Sequence, residues 1–194
     1  MRKILQISVI ITLLFACKNE SKKEVKDEHQ HNAVEKTETQ KKKPLSPHTS
    51  TMAMIGDAHI HIDYSSPGVR DRIIFGGLLA YDQVWQAGAH MATWVETNKD
   101  LQIEGKTLPA GKYGFFTIPS KEEWTVIFNS NWEQHGKDEY DEKDDVIRFK
   151  IKPNFSEEIK EQLEYKVNKI DDNNGSISLA WEKVKIEFPF KINQ

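Results

Sequence analysis

Only one cysteine, Cys17, occurs in the 194 residues, so an internal disulfide is excluded. No apolar run reaches the roughly 20 residues that a membrane-spanning helix needs; the longest, from Ile4 to Ala16, falls short. The sequence has no G-x-S-x-G elbow, no H-E-x-x-H helix, no Walker loop and no G-x-G-x-x-G leading into a helix, which removes the commonest hydrolase, metalloprotease and nucleotide-binding signatures. Past Cys17 no thiol nucleophile remains. Lys and Arg nowhere cluster among aromatics beyond Pro44, where 17 basic residues face 24 acidic ones. That balance excludes nucleic acid as a partner, since phosphate binding needs a positive footprint. No repeat of fixed period is present.

What remains is patterned unevenly. Arg2 and Lys3 precede the apolar run, and Leu14-Phe15-Ala16-Cys17 is similar to the lipobox of bacterial lipoproteins, so residues 1–17 are expected to be a signal peptide that leaves Cys17 lipidated in a bilayer. From residue 18 to 45 the chain is almost wholly Lys, Glu, Gln, Thr, Ser, Asn and His. It cannot bury enough apolar surface to offset ordering entropy and is expected to be a disordered, charged tether. These features place the protein at the bacterial cell envelope, lipid-anchored on the periplasmic or cell-surface side.

From residue 46 to 194 the signal is that of strands. Leu101 to Asn129 reads as three consecutive antiparallel strands, with a Gly-bearing hairpin turn at Glu104-Gly105-Lys106 and a second turn at Leu108-Pro109-Ala110-Gly111. Tyr113, Phe115 and Thr117 point one way and Phe116 and Ile118 the other, while Trp124, Val126 and Phe128 alternate with Thr125 and Ile127, which implies burial on both faces. The first strand is expected at Asp57–Tyr64, with Ala58, Ile60 and Ile62 inward. Further expected strands are Met91–Thr97, Val146–Ile151, one around Leu163, Tyr165 and Val167, one with Ile177, Leu179 and Trp181 on one side, and a last run of Val184, Ile186, Phe188 and Phe190 in the same period-2 register. Asn174-Gly175 is a hairpin signal. Tyr81–Trp85 is expected to make one helical turn and Ser156–Glu161 to start a short helix capped by Ser156. The acidic stretch after Asn129 lacks EF-hand order and is expected to be a solvated, mobile loop. Many short strands with turn signals and little helix predict an all-β fold, an antiparallel β-sandwich of Ig-like or jelly-roll-like architecture.

GKTLPAGKYGFFTIP, EWTVIFN and the upstream YSSPGVRDRIIFGGLLAYDQVWQAGAH carry a resemblance to the uncharacterised bacterial domain of unknown function 2911 family, from about Ser46 to the C-terminus. The resemblance implies no specific activity. Gln86, Ala87 and His90 stand where Arg, Thr and Asn are usual in that family, and Ser66 where Arg often precedes the proline.

Two constellations carry candidate chemistry. In the first, Tyr81, Trp85 and His90 lie close along one loop and Arg70 and Arg72 flank a turn just before it. Aromatics beside polar groups suit a glycan or an extended peptide, and guanidinium forks suit carboxylate or phosphate. The bland alternative is core aromatics and arginines paired with Asp71 or Asp82. In the second, His59, His61 and Asp63 share one strand face, the imidazoles roughly 6.5–7 Å apart at Cα, a spacing that can close on a divalent metal if His90, His135 or Glu96 adds a ligand. Its bland alternative is a polar, solvent-facing edge strand. No other cofactor is implied. The expected function is a non-catalytic ligand-binding module on a membrane anchor; a metal-dependent protein and an envelope assembly factor that offers an edge strand are the alternatives.

Overall fold

Among the described residues, ten strands form two antiparallel sheets, ordered β1-β2-β3-β6-β7-β8 and β5-β4-β10-β9. They are β1 His48–Ile55, β2 Ala58–Ser65, β3 Trp94–Thr97, β4 Leu101–Ile103, β5 Lys106–Leu108, β6 Gly111–Ile118, β7 Trp124–Asn129, β8 Asp145–Ile151, β9 Asn154–Lys169 and β10 Asn174–Ile192. The computed structural model describes residues 44–193. The expected signal peptide of residues 1–17 and, apart from Pro44 and Leu45, the expected tether of residues 18–45 therefore lie outside the described residues. Among the described residues the only helical element is a 3₁₀ turn at Glu142–Asp144, and no helix is long and apolar enough to cross a membrane. The expected β-sandwich is the fold observed.

Alternation decides which side of each strand is buried. Ile60 and Ile62 of β2, Val95 of β3, Phe115 of β6, Val126 and Phe128 of β7 and Phe149 of β8 meet Leu163 and Tyr165 of β9 and Ile177, Leu179, Ile186 and Phe188 of β10 in one core. Phe188 is the hub between the layers, with ring centroids 6.3 Å from Phe115, 6.2 Å from Phe128 and 5.1 Å from Phe149. On the outward side of β6 and β7, Phe116, Ile127 and Ala92 form a second small core covered by Tyr140. Both faces of this region are thus buried, as the aromatic pattern predicts.

Several local expectations need correction. Leu101–Asn129 is not one triple-stranded unit but four strands divided between the sheets. β3 and β6 pair directly, and the chain between them carries the β4–β5 hairpin across to the other layer and back. The crossing is pinned where the Ala110 N–H donates to Asp100 Oδ1 (2.8 Å) and the Tyr113 hydroxyl to the Pro109 carbonyl (2.9 Å). Glu104 (φ 48°) and Gly105 (φ 73°) give that hairpin the doubly left-handed turn that matches strand twist.

An unexpected strand, β1, precedes Ala58–Ser65, so β2 is an inner strand and not an edge. Ser156–Glu161 is strand, because β9 pairs with β10 down to Val184↔Phe155 and Lys185↔Asn154. Tyr81–Trp85 is turn without helix, since the Trp85 amide and carbonyl are used by Thr117 of β6. Asn174-Gly175 lies inside β10, and the turn is residues 170–173, stabilised by the Asp171 carboxylate accepting the Asn173 and Asn174 amides at 2.8 and 2.9 Å. Gly175 is required for a different reason: a Cβ there would run into Ile55, Phe190 and the Asn168 carbonyl. The stretch after Asn129 is tied down, with Asn129 Nδ2 donating to the Asp141 carbonyl and Tyr140 to the buried Asp145 carboxylate.

The end of the chain does not keep one register. Trp181 and Val184 both face the core, and a bulge at Glu182 (φ 54°) absorbs the switch from odd to even inward positions within the single long β10. The Phe188 hub leads to an expected loss of about 3–5 kcal/mol for Phe188→Ala in urea denaturation of the full chain. A loss under about 1 kcal/mol would show that the layers do not depend on that ring.

Candidate functional site

Residues 66–93, between β2 and β3, are far longer than a typical connection, and such segments in compact domains are usually functional. This one is strapped down at several points. Val69 N–H donates to the Glu161 carbonyl (2.8 Å) and Leu163 N–H to the Pro67 carbonyl (3.0 Å) on β9; Trp85 exchanges backbone bonds with Thr117 at 2.8 and 2.9 Å; Gly136 N–H reaches the His90 carbonyl at 2.7 Å. Its apolar residues plug one end of the core. Phe75 lies 4.8 Å from Trp124 of β7, and Trp85 stacks on Trp181 of β10 at 5.7 Å with an interplanar angle of 24°.

Behind this plug the segment leaves a depression of about 320 Å³, lined by Arg70, Arg72, Leu78, Trp85, Gln86, His90 and Trp181 among others. Four of the five residues proposed from sequence for a ligand site thus share one concavity. Tyr81 is not among its lining; its ring packs toward Gly76 and has the Lys121 ammonium 6.0 Å above it. Trp85 and Trp181 are only 4% and 1% exposed, so they make the floor and offer no free ring face. Trp85 Nε1 donates to the Gly88 carbonyl at 3.0 Å, whereas Trp181 Nε1 is buried with no hydrogen-bond partner among the described residues.

The arginines behave differently from the bland expectation. Arg72 donates through Nε to the Val69 carbonyl (3.0 Å) and through Nη2 to the Gly68 carbonyl (2.7 Å), which uses two of its five N–H donors and leaves three. Glu161 Oε1 accepts the Arg70 backbone N–H at 3.0 Å. Among the described residues, no ion pair includes Arg70 or Arg72.

Backbone strain gathers at the same place. Seven non-glycine residues among those described have φ in the left-handed region, and five of them, Arg70, Asp71, Ala87, His90 and Glu182, line or adjoin the depression. Each such residue costs on the order of 1–2 kcal/mol. Strain of that kind persists where surrounding contacts over-determine it, and here they do: the Ala87 carbonyl accepts both the Tyr165 hydroxyl (2.7 Å) and the Thr93 hydroxyl (3.0 Å). Burial pushes the Tyr165 phenol well above its ordinary value, so it remains a neutral donor at physiological pH.

The second constellation lies on the outer face of the six-stranded sheet. The His59 and His61 rings are 6.1 Å apart, His61 sits edge-on to Trp94 at 4.9 Å, and its cross-strand partner is Glu96. Asp63 is engaged by His48 Nε2 at 2.8 Å. Among the described residues no group of three or more His, Cys, Asp or Glu side chains has metal-holding geometry. His48 and Trp181 are contributors that the sequence did not single out as site residues, whereas Gln86 stood out only by its departure from the family pattern. Trp181 could be found only by knowing that β10 passes beneath the loop, and His48 only from the existence of β1.

A family model described as "Protein of unknown function (DUF2911)" matches residues 46–190. No curated protein and no solved structure matches the chain. For the plug, the expected outcome is that Tyr165→Phe lowers stability by about 0.5–1.5 kcal/mol and raises hydrogen exchange in residues 85–93 above the rest of the domain. Unchanged exchange there would show that the Tyr165 bond does not hold the loop.

Proposed function

The chain belongs to the DUF2911 family, and since that membership carries no activity we propose its function from the site: a non-catalytic module that binds an acidic ligand in the depression between Arg70, Arg72 and His90. The observation that carries this reading is that Arg70 and Arg72 have no acidic ion-pair partner among the described residues, in a domain whose acids outnumber its bases. Guanidinium donors left over from the fold suit a carboxylate, which accepts two parallel N–H bonds. The strained, strapped loop supports the same reading, because a pre-ordered site loses less entropy when a ligand arrives. Ser46 and His90 both line the depression, and no hydrogen bond joins their side chains among the described residues, so binding without chemistry is the economical account.

We place this module at the bacterial envelope as a lipoprotein. Support comes from Arg2 and Lys3, the short apolar run and the Leu14-Phe15-Ala16-Cys17 sequence. Acylation at Cys17 would anchor the domain without any lipid contact of its own. The acidic ligand is then a glycan or an extended peptide of the envelope or its surroundings.

Titration calorimetry of the full chain with galacturonic acid oligomers and an acidic hexapeptide is expected to give saturable binding to one of them. Arg70→Gln should weaken it at least about tenfold, the equivalent of one charge-assisted hydrogen bond. Equal affinity in the Arg70→Gln, Arg72→Gln double variant would reject the site. Labelling with palmitate in a bacterial host tests the anchor separately: wild type should incorporate label and Cys17→Ser should not, and an unlabelled wild type would remove the lipoprotein assignment.

A further inference from the structure

A second depression, of about 190 Å³, lies on the outer face of the six-stranded sheet and is bounded by Trp94, Trp132, His48, Asp63, Met91 and Glu133. The sheet register explains how it is built. Asp63 of β2, Trp94 of β3 and Gly114 of β6 occupy one row across the sheet. Gly114 supplies no side chain, and a Cβ there would come within 3.1 Å of the Asn131 carbonyl and 3.3 Å of Trp132 Cα. The vacancy lets the segment after β7 cross the sheet and set Trp132 beside Trp94, ring centroids 6.4 Å apart at 67°. Lys112, on the same face of β6, then lays its ammonium 3.5 Å from the Trp94 centroid and 3.7 Å from that of Trp132.

Unlike Trp85 and Trp181, both of these indoles are partly exposed. They are also fixed: two cation–π contacts to one lysine hold the rings at a set angle before any ligand arrives. Beside them stand two carboxylates. Asp63 is oriented by His48 at 2.8 Å, and Glu133 is exposed and makes no ion pair among the described residues. The most telling feature is the charge arrangement. An incoming cation would meet the Lys112 ammonium already on the rings, an anion would meet Asp63 and Glu133, and a wholly apolar group would strip water from those carboxylates without repaying them.

We propose that the Trp94–Trp132 depression is a binding site for one ring of a neutral sugar. The indole surface that Lys112 leaves open to the depression packs against the C–H face of a pyranose, and Asp63 and Glu133 accept hydrogen bonds from its hydroxyls. Its size suits a single ring. The linings of the two depressions alternate along the same segments: Ser46, Pro67, Ala89 and His90 belong to the arginine depression, and His48, Ser65, Met91 and Ala92 to this one. Extending the assignment to a single acidic glycan that bridges both depressions rests on the function proposed above; sugar binding at the tryptophans does not.

Chitotetraose, cellotetraose and mannotetraose titrated into the full chain provide the test, followed by calorimetry and by NMR of the indole N–H resonances. At least one is expected to bind and to shift the Trp94 and Trp132 resonances. Trp132→Ala should weaken that binding about tenfold or more, and Glu133→Gln, which spares the aromatic packing, by a smaller factor. Arg70→Gln should leave neutral-sugar affinity within about twofold of wild type, which separates a failure here from a failure of the acidic-ligand site. No shift with any of the three sugars, unchanged affinity in both Trp132→Ala and Glu133→Gln, or a shift of these indoles by tetramethylammonium but not by sugar would each overturn the assignment.

Discussion

The stacking of Trp85 on Trp181 is the contact on which the arrangement of the molecule depends. A six-stranded sheet facing a four-stranded one leaves an end of the core that the strands cannot close, and β2 and β3 are joined there by a long segment instead of a tight turn. That segment closes the gap by inserting Phe75 and Trp85 against Trp124 and Trp181. The energies are comparable in size and opposite in sign. Five left-handed residues cost of order 5–10 kcal/mol together. Burying Phe75 and Trp85 returns roughly 1.5–3 kcal/mol each, and each aromatic pair adds about 0.5–1.5 kcal/mol. Without the plug the strained backbone would be left to its hydrogen bonds with β6, β9 and Tyr165, so Arg70, Arg72 and His90 owe part of their common orientation to a hydrophobic contact.

The bulge in β10 serves the same end. It turns the inward set from Ile177, Leu179 and Trp181 to Val184, Ile186 and Phe188 without breaking the strand. One consequence is that Trp181 and Val184 both reach the core although their spacing is odd. Another is that Glu182, opposite Lys160 of β9 where the pairing shifts register, accepts the Ile74 N–H at 3.4 Å and so meets the loop from beneath. Bulges are frequent beside functional sites because they re-aim side chains in this way.

Strands whose inward residues are large and apolar were legible from alternation alone: β2 through Ile60 and Ile62, β7 through Val126 and Phe128, β8 through Ile147 and Phe149. β1 was not, because Ile55 is the one large apolar residue among its inward positions, the others being Thr49, Thr51 and Ala53, while its large Met52 and Met54 are exposed. The first half of β9 failed for a related reason. Phe155 and Ile159 are exposed, so backbone pairing with β10, invisible in a hydrophobic pattern, makes it a strand. The division of Leu101–Asn129 between two sheets could not be read either, since turn chemistry specifies a reversal and not the layer in which the chain continues. For the candidate site, Arg70, Arg72, Trp85 and His90 were legible because one loop carries them. Trp181, and the Trp94–Lys112–Trp132 group, needed the register of strands distant in sequence.

Charge imposes a last constraint on how an acidic ligand can be recognised here. With acids in excess over the domain, the long-range field repels anions, so steering cannot raise their encounter rate as it does for a basic surface. Discrimination must then come from short-range donors in fixed positions, and Arg72, held by the Gly68 and Val69 carbonyls, has that character. Salt screens the repulsion beyond about 8–10 Å while leaving contacts inside the depression less affected. A site of this design gives up speed of association and keeps selectivity.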